Sequence, residues 1–355
     1  GKIVIVRGRV EFDWANEQDH VVQRADGSCL YHLASVVDDF DFEITHVIRA
    51  EEHLSNTPRQ VFIAQSLDYP LPTYAHLPYV AEPGSKNKLS KRKLKTYLKN
   101  RDFAELVEHG QKVLRALGCP QPGESFNPVM VEFYEKIGFL PEAIINYLAL
   151  LGWSLDDRSE HFTRQELIEK FSLQRVNKAP ASFDPKKLMA FQQRHMQLLP
   201  LEQKVAMVLP FLQGAGLIGE VTEALRRQVT RIVQAAGDRI TIAGDILDFA
   251  DFFLPDDKLP YDEAAFDKNL RCPQAAELLR QFRQRLATAR PFDPPVLEAL
   301  LRDFVQQQGI KTGQIVHPLR VAVTGKSVGM GLFDTLAILG RQRCLSRIDR
   351  ALAML

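Results

Sequence analysis

The period of the apolar residues changes once along this 355-residue chain, and that change narrows the folds open to it. Up to residue 85, short β-branched runs (Ile3 to Val6, Val21-Val22, Ile44 to Ile48) are parted by turn material such as Ala25-Asp26-Gly27-Ser28. Tyr31 to Phe40 and Glu52 to Leu67 carry helical spacing, with Pro58 placed to open the second helix, and Pro70, Pro72 and Pro78 keep the following chain extended. From Asp102 onward nearly every segment repeats its apolar residues at three and four. Helices are predicted at Asp102 to Leu117, Val129 to Gly138, Pro141 to Leu151, Arg164 to Phe171, Pro185 to Leu198 and Leu201 to Leu212. They continue at Glu220 to Ala236, Ala243 to Phe253, Pro273 to Ala289, Pro294 to Gln308, Ile315 to Val323 and Gly331 to Leu352, with a Pro- and Gly-rich loop from Gly118 to Asn127. No fixed repeat appears, so a solenoid is not expected. The order is α/β first, then all-α.

Composition excludes several classes. With 45% hydrophobic and 25% charged residues the chain is too apolar for disorder, and no apolar run reaches the length of a bilayer span. The net charge of +1 means that any nucleic-acid partner must be met by local patches. Cys29, Cys119, Cys272 and Cys344 stand singly, which argues against a zinc site and a disulfide framework and fits a reducing cytoplasm. Gly1 to Val6 has no secretory cleavage pattern and no starting Met, and it opens straight into an apolar alternation, so the chain is expected to begin inside a domain.

Three motif matches fail on inspection. Gly325-Lys326-Ser327 ends like a phosphate-binding loop, but the position that needs the first Gly is Arg320. Gly325 to Gly329 also fits a nucleophile elbow, yet no His follows it to complete a triad. His32, His46 and His53 lack metal-ligand spacing. The basic stretch is more informative: Lys86, Lys88, Lys91, Arg92, Lys93, Lys95, Lys99 and Arg101 fall in sixteen residues without an acidic one. Lys88 and Lys91 are three apart, so on a turn they can converge on one anion, neutralise triphosphate charge and stabilise a transferring nucleotidyl group. Taken alone, the run could equally be a solvated loop or a contact to an RNA backbone.

Upstream lie Val47-Ile48-Arg49-Ala50-Glu51-Glu52-His53-Leu54 and Ser55-Asn56-Thr57-Pro58-Arg59-Gln60, polar residues at the end of an apolar strand, where α/β folds place ligand contacts. With Tyr31-His32-Leu33-Ala34 and Val36-Val37-Asp38-Asp39, these segments resemble the second half of the catalytic domain of the glutamyl-tRNA synthetases, a class I family. Lys88-Leu89-Ser90-Lys91-Arg92 resembles that class's mobile second signature, usually written KMSKS. Gly138-Phe139-Leu140-Pro141-Glu142-Ala143, Asn146-Tyr147-Leu148 and Leu151-Gly152-Trp153 resemble its stem-contact region. His317-Pro318-Leu319-Arg320, Thr324-Gly325 and Gly331-Leu332-Phe333 resemble its helical anticodon-binding end.

The resemblance implies a partial Rossmann-like catalytic domain over 1–85, a signature loop, insertion and stem-contact helical domain over 86–198, and an all-α anticodon-binding domain over 199–355. It implies a glutamate–tRNA ligase with ATP and its Mg²⁺, glutamate and tRNA-Glu as partners, acting in the cytoplasm as a monomer, with no membrane and no zinc in this chain. Tyr31 and Arg49 match residues that hold glutamate; Glu52 and His53 match contacts to ATP; Lys88 and Lys91 match the catalytic signature lysines near its phosphates. Arg302, Arg320 and Leu332 match positions near the anticodon, with Pro318 to Gly325 expected to bend the chain and hold Arg320 at a helix end. Each has a plainer alternative: core packing for Tyr31 and His53, a helix N-terminal charge for Glu52, a surface ion pair for Arg320. Ser35 stands where relatives often carry Asn, Cys29-Leu30 where they carry Pro-Thr, and Asn100 to Asn127 reads as an insertion. The class's first signature, of H-x-G-H type, occurs nowhere in the sequence. An N-terminally shortened synthetase, inactive alone, is therefore expected; the alternative is a non-catalytic tRNA-binding module. Glutaminyl specificity fits less well, because that family's anticodon end is usually a β-barrel.

Overall fold

The early alternation becomes a parallel βαβ unit in the computed structural model, which describes residues 2–4, 6, 8–119 and 126–355. Gly1, Ile5 of the opening apolar run, Arg7, and residues 120–125 of the predicted Pro- and Gly-rich loop lie outside the described residues. The chain divides into two units, one of Gly1–Leu106 with Pro141–Phe191 and one of Val107–Leu140 with Gln192–Leu355.

In the first unit, β1 (Lys2–Val4) and β2 (Gly8–Val10) pair antiparallel. Then come α1 (Tyr31–Asp41), β3 (His46–Ala50), a 3₁₀ turn over Glu51–Asn56, α2 (Thr57–Ser66) and β4 (Thr73–Leu77). β3 and β4 run parallel with Arg49 opposite His76, and α2 is the crossover between them. The helices pack because their apolar stripes face each other: Val36 of α1 meets Ile63 and Ala64 of α2, with Leu33, Tyr69 and Leu71 around them. After β5 (Val80–Ala81), the basic segment folds back, Ala81 bridging Lys88, and runs through a 3₁₀ turn at Lys91–Lys93 into α3 (Leu94–Tyr97). The unit is completed by the start of α4 (Arg101–Ala116), by α6 (Pro141–Ala149), α7 (Arg164–Lys170), β6 (Ala181–Ser182), which pairs parallel with β5, and the first half of α8 (Pro185–Leu198). Trp153, Phe162 and Leu167 form a separate small core there.

The second unit is helical. α5 (Val131–Ile137) ends at Gly138, and α9 (Leu201–Gly214) and α10 (Glu223–Ala236) pack together. α11 (Glu263–Asn269), α12 (Ala275–Thr288), α13 (Pro294–Gln308), α14 (Gly313–Thr324), α15 (Leu332–Leu339) and α16 (Arg341–Ala353) follow. Their core includes Leu279, Phe282, Leu301, Phe304, Leu319 and Ile348, all nearly inaccessible.

Five expectations need correcting. Val21-Val22 joins no strand; the adjacent pairing is a single bridge of Gln23 to Cys29. Glu52 to Leu67 is two elements, because the 3₁₀ turn precedes Thr57. Ala243 to Phe253 is a 3₁₀ run, Ala243–Phe252, interrupted at Phe249. Gly331 to Leu352 is two helices, since Gly340 takes φ 82°, ψ 159° between them. Pro318 does not bend the chain at a helix end: it lies inside α14, where its missing N–H leaves only the Gln314 carbonyl without its helical donor.

Candidate functional site

Arg49 stands near the C-terminal end of β3, and its pairing register sets it beside His76 on β4. Arg49 Nε donates to His76 Nε2 at 3.1 Å, Nη1 to Gln60 Oε1 at 2.7 Å and Nη2 to Thr57 Oγ1 at 2.9 Å. Thr57 and Gln60 lie one turn apart on α2, which points both at the guanidinium. All three partners are buried, His76 completely. The guanidinium carbon also lies 5.5 Å from the Tyr74 ring. Tyr31, the first residue of α1, is 55% exposed and so is not a core residue; its ring meets that of His32 edge-on at 5.2 Å. The cationic charge of Arg49 reaches this helix. The His32 pKa is lowered first by burial, then by the charges of Arg59, His20 and Arg49, while burial raises that of Asp39 and Arg49 opposes the rise.

Glu52 and His53 occupy the 3₁₀ turn directly after β3. The Glu52 carboxylate accepts a hydrogen bond from Lys88 Nζ and lies 3.9 Å from His53 Nε2, while Asn56 Nδ2 sits 3.1 Å from His53 Nδ1. The Lys88 hydrogen bond, and then its charge, hold the Glu52 carboxyl below the usual carboxylate range. Lys88 thus ties the basic segment to the end of the strand that carries Arg49. Lys91 opens the 3₁₀ turn, is exposed, and has no hydrogen-bond or ion-pair partner among the described residues.

Two residues that hold this segment escape the sequence reading. Glu82 is buried; its Oε1 accepts from Lys93 Nζ at 2.7 Å and from Tyr97 Oη at 3.2 Å, and Tyr97 Oη in turn accepts from Ser90 N at 2.9 Å. The sixteen-residue run has no acid of its own, and Glu82, four residues before it, provides the missing partner. An acid placed shortly before an uncompensated basic run is the signal that would have found it.

The other predicted residues lie in the helical unit. Arg320 projects from α14 and donates through Nη1 to Met330 O at 2.8 Å; its pKa is lowered by burial and then by the charge of Arg239. Leu332 begins α15 two residues after Met330, and its side chain is 5% exposed. The 326–331 loop therefore brings Arg320 and Leu332 together. Arg302 stands exposed on α13, 3.6 Å from Glu298, with no bond to either of them among the described residues.

With this geometry in place, the likeness to known proteins is specific. The family model for the catalytic domain of class I tRNA synthetases (E and Q) matches residues 4–119 and 126–190, and the anticodon binding domain model matches residues 203–352. A glutamate–tRNA ligase from Moorella thermoacetica is 37% identical over 348 residues, covering 98% of this chain and 64% of its own. One from Nitratidesulfovibrio vulgaris is 34% identical over 357 residues, covering 100% of this chain and 68% of its own. The crystal structure of a glutamate tRNA ligase from Elizabethkingia meningosepticum, in complex with its amino acid, superposes with a TM-score of 0.78 at 27% identity, over 99% of this chain and 65% of that one. The chain thus spans about 64% of the length of the Moorella relative. Matches of this extent, over both the βαβ unit and the helical half, establish that the chain belongs to the glutamate–tRNA ligase family of class I tRNA synthetases.

Proposed function

We propose that the chain serves glutamate–tRNA ligation, in which the carboxylate of glutamate attacks the α-phosphate of ATP, pyrophosphate leaves, and the terminal ribose hydroxyl of tRNA-Glu then takes the glutamyl group and releases AMP. The observation that carries this reading is the Lys88–Glu52 hydrogen bond, which gathers the signature segment and the Arg49 end of β3 at one locus. Arg49 and Tyr31 hold glutamate, Arg49 gripping a carboxylate; Glu52 and His53 face the nucleoside; Lys88 and Lys91 meet the phosphates, with Lys91, unpartnered among the described residues, taking the developing charge. Mg²⁺ would arrive as the counter-ion of the triphosphate, because the local groups are ammonium ions and a carboxylate already bound to Lys88. Arg302, Arg320 and Leu332 serve the anticodon, a role supported by the anticodon-domain match over the same helices. The four free cysteines suit a reducing cytoplasm.

These 355 residues contain no H-x-G-H sequence, so the chain by itself should form glutamyl-adenylate feebly or not at all while still binding tRNA. The anticodon-domain match over residues 203–352 is equally compatible with a second reading, a tRNA-binding module without chemistry. Glutamate-dependent ATP–pyrophosphate exchange by the pure chain is the deciding assay. Vigorous exchange would remove the second reading and the expected inactivity together; failure to bind tRNA at low salt would remove both functional readings.

A further inference from the structure

We propose that His76, together with Thr57 and Gln60, is a positioning residue that keeps the Arg49 guanidinium fixed, and bonded only to neutral groups, for a substrate carboxylate. The proposal rests on the glutamate reading of Arg49 given above.

A guanidinium has five N–H donors and accepts nothing. Arg49 spends one N–H from each nitrogen on His76, Gln60 and Thr57. One N–H is left on each Nη, the number that a bidentate carboxylate takes. Three anchors, one per nitrogen, fix the plane of the group against rotation. They come from β4 and from adjacent turns of α2, so the crossover unit itself sets the aim.

The chemistry of the anchors matters as much as their number. Arg49 Nε can only donate, so His76 Nε2 must accept, which makes His76 a neutral imidazole with its proton on Nδ1. Thr57 Oγ1 lies 3.2 Å from the same Nε2 and accepts from Arg49 Nη2, so the three groups are held in one cluster. Gln60 is oriented likewise: its oxygen must face Arg49, and its buried Nε2 is left with no hydrogen-bond partner among the described residues. A buried donor without a partner costs roughly 1–3 kcal/mol. The fold accepts that cost to keep an uncharged oxygen on the arginine. All three anchors are thus uncharged side chains; the Asp39 carboxyl feels the charge of Arg49 without being bonded to it, so no carboxylate occupies the guanidinium's hydrogen bonds among the described residues.

The test uses the whole chain, labelled with ¹⁵N in histidine and arginine, and L-glutamate as the probe. The ring nitrogens of His76 should show the proton on Nδ1, and Arg49 Nε–H should be a slowly exchanging signal. His76→Phe keeps the ring but removes the acceptor; Arg49 Nε–H should then exchange at least ~10-fold faster, and glutamate should bind roughly tenfold or more weakly. His76→Gln restores an acceptor near the same point and should recover both to within about threefold. A merely structural histidine would not be rescued in this way. Should His76→Phe fail to fold, Thr57→Val provides the same comparison, with tRNA binding as the check on the helical unit. A proton on Nε2, or unchanged exchange and binding in both variants, overturns the proposal. If wild-type Arg49 shows the expected exchange and tautomer but ignores glutamate, the glutamate reading falls and this proposal with it; the histidine signals tell which of the two failed first.

Discussion

Two arginines show how partners separate a guanidinium met by neutral groups from one locked into a buried ion pair. Arg347 of α16 is wholly buried and donates to Asp256 Oδ1 at 2.6 Å, to Val323 O at 2.6 Å and to Asp251 O at 2.7 Å. Arg343 binds the same carboxylate oxygen at 3.0 Å. That charge is neutralised and has nothing left to offer a ligand, whereas the charge of Arg49 is met by uncharged acceptors. Arg347→Met should therefore destabilise the protein by about 3–5 kcal/mol, since the Val323 and Asp251 carbonyls lose this donor in the core while Asp256 keeps its bond from Arg343. Urea unfolding checks this, and a loss below about 1 kcal/mol would mean that the buried pair contributes little. Glu52 makes a second, gentler case. Its folded pKa is depressed, so its bond to Lys88 is complete above the ordinary carboxylate pKa and is lost as pH falls through the lower folded value. A ¹³C titration of the Glu52 carboxyl should give a midpoint below that of free glutamate side chains and return to it in Lys88→Met. A midpoint at the ordinary value in the wild type would mean that the tie between strand end and signature segment does not form in solution.

At the scale of elements, two glycines decide where α14 and α15 stop. Gly340 parts α15 from α16 in a region that side chains essentially never enter, yet a Cβ there would touch nothing within 4 Å. Gly340→Ala should cost only the backbone strain, about 1–3 kcal/mol. Gly325, which ends α14 at φ 78°, would place its Cβ 2.0 Å from the Pro260 carbonyl oxygen. Gly325→Ala should thus cost more, above about 3 kcal/mol, from strain and overpacking together. Equal losses in parallel denaturation curves would contradict this order. The same glycine explains one failure of sequence reading: apolar spacing runs on through Gly340, so period alone predicts one helix across both. Where the period is long and uninterrupted, as in Pro185–Leu198 and Pro294–Gln308, the predicted and observed bounds coincide. The helix Glu263–Asn269 carries its apolar residues, Ala264 to Phe266, in one run rather than at three- and four-residue spacing, and the 3₁₀ run Ala243–Phe252 imitates a helical period through its three-residue spacing. The signature lysines are legible because charge runs are local. Thr57 and Gln60 lie close to Arg49 in sequence, but His76 reaches it only through the pairing of β3 with β4, twenty-seven residues away. Strand register of that kind leaves no mark on a single sequence.

For the molecule as a whole, a net charge of +1 means that attraction to RNA cannot come from a general positive field. It must come from places where cations lack carboxylate partners, and Arg320 is one of them. Its Nη1 is held by the Met330 carbonyl, and Arg239 is near enough to lower its pKa further. A guanidinium fixed by a backbone carbonyl has lost the rotational freedom that lets a cation follow a phosphate, and it keeps the planar edge that reads a base. Base reading is therefore the expected role. Arg320→Ala should lose about 1–3 kcal/mol of tRNA affinity for the cognate anticodon and less for an exchanged one, with little change in the salt slope. A phosphate contact would weaken both RNAs alike and reduce that slope by about one. Filter binding with cognate and anticodon-swapped transcripts, each at two salt concentrations, distinguishes the two. A uniform loss with a flatter slope would return Arg320 to the backbone and leave discrimination of the anticodon to other groups on these helices.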